Sequence, residues 1–330
     1  MPIGVVAIGR NEGQRLNRCL ASATSPNSTI VYVDSGSTDN SVETAQDLGA
    51  TTVTLDLSLP FTAARARNAG FQRLLQVLPD LEMVQFVDGD CEIVAGWLEK
   101  AEEVLRGNSN VAVVCGRRRE LYPKASLYNH LCDMEWDTPI GLTQSCGGDA
   151  LMRVEALVQV GGFDANLIAG EEPDLCFRLR EKDWNIVRID VEMTRHDAAM
   201  THFSQWLRRS IRTGHAFAEG NARHGRSAER FWARETRSAL FWGLGVPALM
   251  LLAFPAIGTL SLGIAGIYGI LMVRTYRNAR RRGFAPEDAR LYAFYCVAGK
   301  TPEALGQLTY WLSRLTGRRQ SLIEYKTKAA

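Results

Sequence analysis

Asp88-Gly89-Asp90 closes the apolar run Val84 to Val87, and no triplet in the chain offers more chemistry. Two carboxylates at a strand end, separated by a Gly that lets the backbone turn, make a hard, oxygen-rich pocket. Mg²⁺ or Mn²⁺ carrying a diphosphate suits such a pocket, because hard cations take oxygen ligands and keep positions open for phosphate. A solvated Asp-Gly turn is the plain alternative, since both residues fill turns for conformational reasons alone. Asp34 ends a second β-branched run and leads into Ser35-Gly36-Ser37, small polar residues that can hydrogen-bond a nucleotide base or ribose. A strand-to-helix turn capped by Asp39 explains the same residues. GxGxxG spacing is missing there, which removes support for an NAD site. Gly170-Glu171-Glu172-Pro173-Asp174 opens a helix, and a carboxylate ionised by the helix dipole can accept a proton from an attacking hydroxyl. Ordinary acidic helix-start chemistry would use the same residues. His196 trails the acidic helix by one strand and can return to the strand-end edge to meet a metal or a diphosphate.

These side chains need a scaffold that gathers strand ends. Predicted strands at 4–8, 29–33, 51–55, 84–87, 111–115 and 186–189 alternate with helices whose apolar residues recur at helical spacing, such as Leu16, Leu20 and Ala23 or Trp97, Ala101 and Leu105. The alternation predicts an α/β fold with a mainly parallel sheet flanked by helices. Ligands of such sheets bind at the carboxyl ends of the strands, so Asp34, Asp88 and Asp90 should gather on one edge. Between 116 and 145 the pattern lapses. Arg117-Arg118-Arg119 there reads either as a solvated basic patch or as a face for an anionic acceptor. Residues 147–153 are expected to lead into a helix.

The 330 residues allow one or two domains, and the net charge of +2 hides a division. Residues 1–200 carry 18 Lys and Arg against 29 Asp and Glu, while residues 201–330 carry 20 against 7. An acidic body with a basic, apolar tail points to a soluble head and a membrane-associated foot. Nucleic acid is set aside as a partner because the basic residues flank long apolar runs. Seven scattered cysteines without a CxxC pair fit reduced thiols better than a disulfide framework. His130, Cys132 and Asp133 lack a second ligand pair at zinc spacing and read as packing residues. No signal peptide precedes the first strand, which already reads as core from Ile3.

Taken together the motifs resemble one family, the family 2 glycosyltransferases with the GT-A fold. The resemblance runs through residues 1–197 in order: Arg10-Asn11-Glu12, Val33 to Asp39, Ala66-Arg67-Asn68-Ala69-Gly70, Asp88-Gly89-Asp90, Gly147-Gly148-Asp149-Ala150, Gly161-Gly162-Phe163-Asp164 and Gly170-Glu171-Glu172. It implies a nucleotide-sugar donor site made by Arg10, Asn11, Glu12, Asp34, Ser35, Ser37, Arg67, Asn68 and Asp88. Asp90 would ligate Mg²⁺ or Mn²⁺, with Asp88 and His196 as further candidates. Gly148, Asp149 and Trp184 would border the acceptor. The second acidic residue after Gly170 is the implied base, Glu172, and because it is Glu where many members carry Asp, Glu171 and Asp174 stay in contention. The implied reaction is direct displacement with inversion at the anomeric carbon. A Gln-x-x-Arg-Trp motif of processive members has only a loose echo at Gln205 to Arg209, so polymerisation is not expected. Two other readings are a sugar-nucleotide pyrophosphorylase, which lacks its Gly-rich basic loop here, and a non-catalytic membrane-anchored nucleotide-sugar binder.

The expected organisation is a catalytic domain over 1–200, a helical connector over 201–238, an apolar hairpin over 239–273 and a basic amphipathic tail over 274–330. Residues 239–273 carry no charge. As one helix they would measure roughly 50 Å, beyond a bilayer core of about 30 Å. Pro247, Pro255 and Gly258 divide the run, and arginines flank both ends, which favours a re-entrant or barely spanning hairpin with both ends in the cytoplasm. A buried hairpin at an oligomer interface is the competing reading. Tyr292, Tyr295, Tyr310 and Trp311 suit a helix lying at the headgroups. The expected location is the cytoplasmic face of the inner membrane, and the expected acceptor is lipid-linked or a surface glycan.

Overall fold

The computed structural model describes residues 3–25 and 28–317, divided into two compact units between Ala199 and Met200. In the first unit strands and helices alternate. They are β1 (Ile3–Gly9), α1 (Gln14–Ala23), β2 (Ser28–Asp34), α2 (Ser41–Asp47), β3 (Thr51–Thr54), α3 (Ala63–Val77) and β4 (Met83–Asp88). Then come β5 (Cys91–Ile93), α4 (Trp97–Gly107), β6 (Val111–Glu120), α5 (Leu127–Glu135), β7 (Gly141–Leu142) and β8 (Ala150–Arg153). The unit ends with α6 (Val154–Val160), α7 (Glu171–Arg180) and β9 (Asn185–His196).

All strands join one sheet in the order β3-β2-β1-β4-β8-β6-β9-β5, with β7 on β9. Residues of β1, β2 and β4 are almost wholly buried because helices cover both faces, and each strand is correspondingly rich in Val, Ile and Phe. Leu16, Cys19, Leu20 and Ala23 form the buried stripe of α1, as their spacing requires. Trp97 is fully buried and donates its indole N–H to Gln85 Oε1 at 2.9 Å, which satisfies both groups in the core.

The sheet is mixed. β1, β2, β3 and β4 run parallel, but β8 enters antiparallel between β4 and β6. The predicted helix lead-in at 147–153 is therefore strand β8 before α6 begins. β6 runs on to Glu120, five residues past the expected end, because its second half is held by ion pairs rather than by apolar packing. The extension carries register shifts against β9 around Cys115 to Arg118. β9 likewise extends from Asn185 to His196. All seven cysteines are free.

The second unit is helical: α8 (Phe203–His224), α9 (Ala233–Leu240), a π turn at Phe241–Gly245, α10 (Val246–Ile257) and a 3₁₀ stretch at Gly258–Gly266. α11 (Ile267–Arg281), α12 (Pro286–Ala298) and α13 (Lys300–Thr316) complete it. α8 and α13 cross at glycines, since a Cβ on Gly214 would lie 1.8 Å from the Glu303 carbonyl and one on Gly306 2.0 Å from that of Ile211. The apolar run folds back on itself after α10, where Gly258 takes φ +54°. The Tyr268 ring lies tilted against that of Trp242, 26 residues earlier, at 5.7 Å, and its hydroxyl donates to the Trp242 carbonyl. A straight helix would hold these residues about 39 Å apart. Ala233–Arg281 is apolar and long enough to cross a membrane, with 6% of its most apolar window buried. Residues 318–330 of the basic tail lie outside the described residues.

Candidate active site

Parallel register carries the predicted strand ends to one edge. Gly9 pairs with Asp34 and Ile8 with Asp88, so the two carboxylates stand on either side of β1, about 10 Å apart at the usual strand spacing. Asp34 is buried and organises the loop after it. Its Oδ2 accepts the N–H groups of Gly36 at 2.9 Å and Ser37 at 3.0 Å, and its Oδ1 accepts the Tyr32 hydroxyl at 3.2 Å. Asn11, at φ +57°, locks the facing loop by donating its N–H to Ser37 Oγ and accepting from Thr38 N–H at 2.7 Å. Glu12 pairs with Arg15 at 2.8 Å, and exposed Arg10 lies over the Phe61 ring. The Ser35 hydroxyl is buried with no partner among the described residues.

Arg67 is the hub. Its buried guanidinium reaches Asp88 at 2.8 Å and both Glu171 and Glu172 at 3.0 Å, over the Phe163 ring. Burial opposes that charge, but Glu172, Asp88 and Glu171 outweigh it and hold the guanidinium above its ordinary range. Its Nε has no partner among the described residues. A second, partly buried arginine, Arg118, pairs with Asp149 at 2.7 Å and lies 3.8 Å from Asp88. Asp149 also accepts the Thr194 hydroxyl at 2.6 Å and the Asp88 N–H at 3.1 Å. Gly148 is pressed against this cluster: a Cβ there would meet Arg67 Nη2 at 2.5 Å and Asp88 Oδ2 at 2.7 Å.

Asp90 and His196 face each other across the pairing of β5 with β9, Oδ2 to Nε2 at 3.3 Å, both buried. Burial and Arg118 push the imidazole down to about 4, so it is neutral near pH 7. The ligand atoms of Asp90, Cys91 and His196 lie within 4.8 Å of one another, as do those of Asp88, Cys91 and Asp149. Burial pushes the Cys91 thiol well up, which leaves carboxylate oxygens and a neutral imidazole as the available donors. That set fits a hard divalent ion such as Mg²⁺ or Mn²⁺. Four carboxylates (Asp88, Asp149, Glu171, Glu172) also share Arg67 and Arg118, and Asp90 faces a neutral imidazole, an imbalance that favours a bound cation.

Glu171 and Glu172 enter at the N-terminus of α7, after Gly170 in the left-handed conformation. The dipole alone would favour their ionised forms, but burial and the neighbouring Glu171 push Glu172 up to about 7 against the pull of Arg67. Glu172 keeps 17% of its side-chain surface exposed, whereas Glu171 keeps 4%. Asp174 is occupied elsewhere. It pairs with Arg178 at 2.8 Å, and that guanidinium also donates to the carbonyls of Val160 and Gly162. Asn68 serves the same segment, since its amide both donates to and accepts from the Phe163 backbone.

Trp184 is not brought to this cluster. It precedes β9, whose first residue pairs with Val111 at the amino end of β6, and its indole donates to Gln159 while Arg153 lies over the ring. Arg153 pairs with Met83, five residues before Asp88, or about 17 Å along the strand. Trp184 thus lies apart from the strand-end cluster, because β9 begins at the opposite end of the strand from His196. Arg117-Arg118-Arg119 is neither a solvated patch nor a free anion-binding face. Strand alternation sends Arg118 to Asp149, while Arg117 and Arg119 reach Asp133. Arg118 and Thr194 are the site residues that motif reasoning missed. The available signal was period two within the arginine run.

Residues 5–154 match the family model described as glycosyl transferase family 2. The chain is 24% identical over 229 residues to the glycosyltransferase AglE of Haloferax volcanii, covering 64% of this chain and 71% of that protein. Its fold is similar to that of the mannosyltransferase PcManGT from Pyrobaculum calidifontis, solved with GDP-Man and Mn²⁺, with a TM-score of 0.60 at 17% identity over 92% of this chain and 86% of that one. A mycobacterial protein of known crystal structure gives a TM-score of 0.50 at 18% identity over 68% and 75% of the two chains. The motifs, the GT-A-type mixed sheet and the matched model agree, and over residues 5–154, a little under half of the chain, the protein is similar to glycosyl transferase family 2.

Proposed function

We propose that the chain is an inverting, metal-dependent transferase that moves a sugar from a nucleoside-diphosphate donor to a lipid-linked or surface-glycan acceptor at a membrane. The observation that carries the reading is the convergence of Asp88, Asp149, Glu171 and Glu172 on Arg67 and Arg118 at the strand-end edge beside Asp34, with Asp90, close to Asp88 in sequence, paired to His196. The nucleoside would lie along Asp34, Ser35 and the loop fixed by Asn11, and the unpartnered Ser35 hydroxyl and Arg67 Nε supply polar atoms for a ligand. Asp90 and His196 would hold Mg²⁺ or Mn²⁺, with Asp88 adjacent. Bound there, the ion neutralises charge that develops on the departing diphosphate. The complex of PcManGT with GDP-Man and Mn²⁺ supports this donor class and metal without choosing a base or a sugar.

Glu172 is the proposed base. It takes the proton from the acceptor hydroxyl as that oxygen bonds to the anomeric carbon, and the bond to the donor phosphate breaks on the opposite face. Its electron pair leaves with the nucleoside diphosphate. Arg67 holds Glu172 and Asp88 in one frame, so base and donor are positioned by the same side chain.

The second unit would hold the enzyme at the bilayer through its exposed apolar hairpin, with the cytoplasmic face of the inner membrane proposed from its arginine flanks. Transfer assays with a panel of nucleotide sugars and Mn²⁺ test the whole reading. Nucleoside diphosphate should be released and the product should carry the inverted linkage. Pyrophosphate release, or Asp90→Asn and Glu172→Gln variants both retaining near-normal rates at saturating donor, would overturn it.

A further inference from the structure

Helices α11 and α12 enclose a groove of about 450 Å³. Met272, Val273 and Tyr276 line it from α11, and Arg290, Ala293 and Phe294 from α12. Their spacings place one stripe of each helix on the same cleft. Arg277, Arg280, Arg281 and Arg282 crowd the end of α11, and Arg290 stands one turn into α12. Glu287 and Asp288 are the acidic residues of that turn, and the Glu287–Arg290 pair is loose at 3.9 Å with both side chains largely exposed. Arg282 braces the corner over the rings of Phe284 and Tyr292. Ile270, one turn before Val273 on α11, is exposed as well. The cleft is therefore apolar along its walls with the exposed Arg290 side chain at its rim, the profile of a charged head on a hydrocarbon tail.

We infer that this groove binds a phospholipid with an anionic headgroup, its acyl chain against Met272, Val273 and Phe294 and its phosphate beside Arg290. The inference rests on the membrane reading proposed above and goes beyond it. Exposed leucines of the hairpin can enter any bilayer, whereas the groove discriminates among lipids by charge. Nucleic acid phosphates would match the arginines but leave the apolar walls unfilled.

Flotation of the full-length protein with vesicles of phosphatidylcholine, or of phosphatidylcholine mixed with phosphatidylglycerol, separates the two ideas. Binding to the mixed vesicles should be about tenfold tighter, in keeping with the usual weight of a few arginines at an acidic surface. Arg290→Glu should bring the ratio close to one while binding to phosphatidylcholine is kept. Val273→Trp, which fills the groove from a half-exposed position, should do the same. Arg234→Glu, an exposed cation outside the groove, should leave the ratio intact. Failure to float with either vesicle overturns the membrane reading itself. Equal binding of the unaltered protein to both vesicles overturns the groove alone, as does an equal loss from Arg290→Glu and Arg234→Glu.

Discussion

Glu172 sits between opposed influences: burial and Glu171 favour its proton, and Arg67 at 3.0 Å favours its charge. The outcome, about 7, makes it protonated or ionised according to conditions a cell can reach. As a base it must be ionised, so kcat/KM should rise about tenfold per pH unit below about 7 and level off above it. Glu172→Gln should lower kcat about a hundredfold or more and abolish that limb, with donor affinity retained. A second expectation follows from linkage. The folded protein binds this proton more tightly than the unfolded chain does, so folding stability falls as pH rises from the ordinary carboxylate range to about 7, and changes no further above it. Relative to the unaltered protein, Glu172→Gln should therefore melt higher at pH 8 than at pH 5. Melting curves at the two pH values check this, and an equal offset at both would contradict the assignment of the raised carboxyl to Glu172.

At the scale of elements, α7 matters because it delivers Glu171 and Glu172 to Arg67, and its position is fixed from behind. Arg178 joins Asp174 to the carbonyls of Val160 and Gly162, while Asn68 clamps Phe163 from α3. Arg178→Ala would leave a nearly buried Asp174 carboxylate and two carbonyls without this donor, at a cost of roughly 2–4 kcal/mol measured by urea unfolding. Asp174→Asn should instead retain most of the transfer rate, in contrast to Glu172→Gln. These elements also show what a sequence can and cannot reveal. Asp34 and Asp88 were legible because β-branched runs ending in a carboxylate mark strand ends, and parallel register then aligns them. The second half of β6 was not. Its Arg117 to Glu120 segment is held by Asp133 and Asp149, carboxylates distant in sequence, so no hydrophobic alternation marks it. The separation of Trp184 from the cluster was hidden for a related reason, since an aromatic beside a strand looks the same at either end until the strand's direction is known.

At the scale of the molecule, an acidic α/β unit is joined to a basic helical unit whose apolar run folds back at Gly258. One arm, residues 240–257, measures roughly 27 Å as a helix, close to a hydrocarbon core of about 30 Å. Leu249, Leu251, Leu252, Phe254, Leu260 and Leu262 are all more than half exposed, so the hairpin is not the core of its own unit. Bilayer and oligomer partner remain as covers, and they differ in what a charge does. Leu251 and Leu252, 75% and 78% exposed, can be replaced by Glu without loss of internal packing. In a bilayer each acidic side chain near mid-depth costs on the order of 3 kcal/mol, enough to move most of the protein from the membrane to the soluble fraction. The Leu251→Glu, Leu252→Glu variant should therefore leave the membrane pellet while its nucleotide-sugar-dependent thermal shift stays at the unaltered value, because neither residue belongs to the strand-end cluster. If the hairpin instead joins two copies, the unaltered protein should run as an oligomer without detergent and the variant as a monomer, with no change in pelleting; that result would replace the membrane by a second copy of the chain.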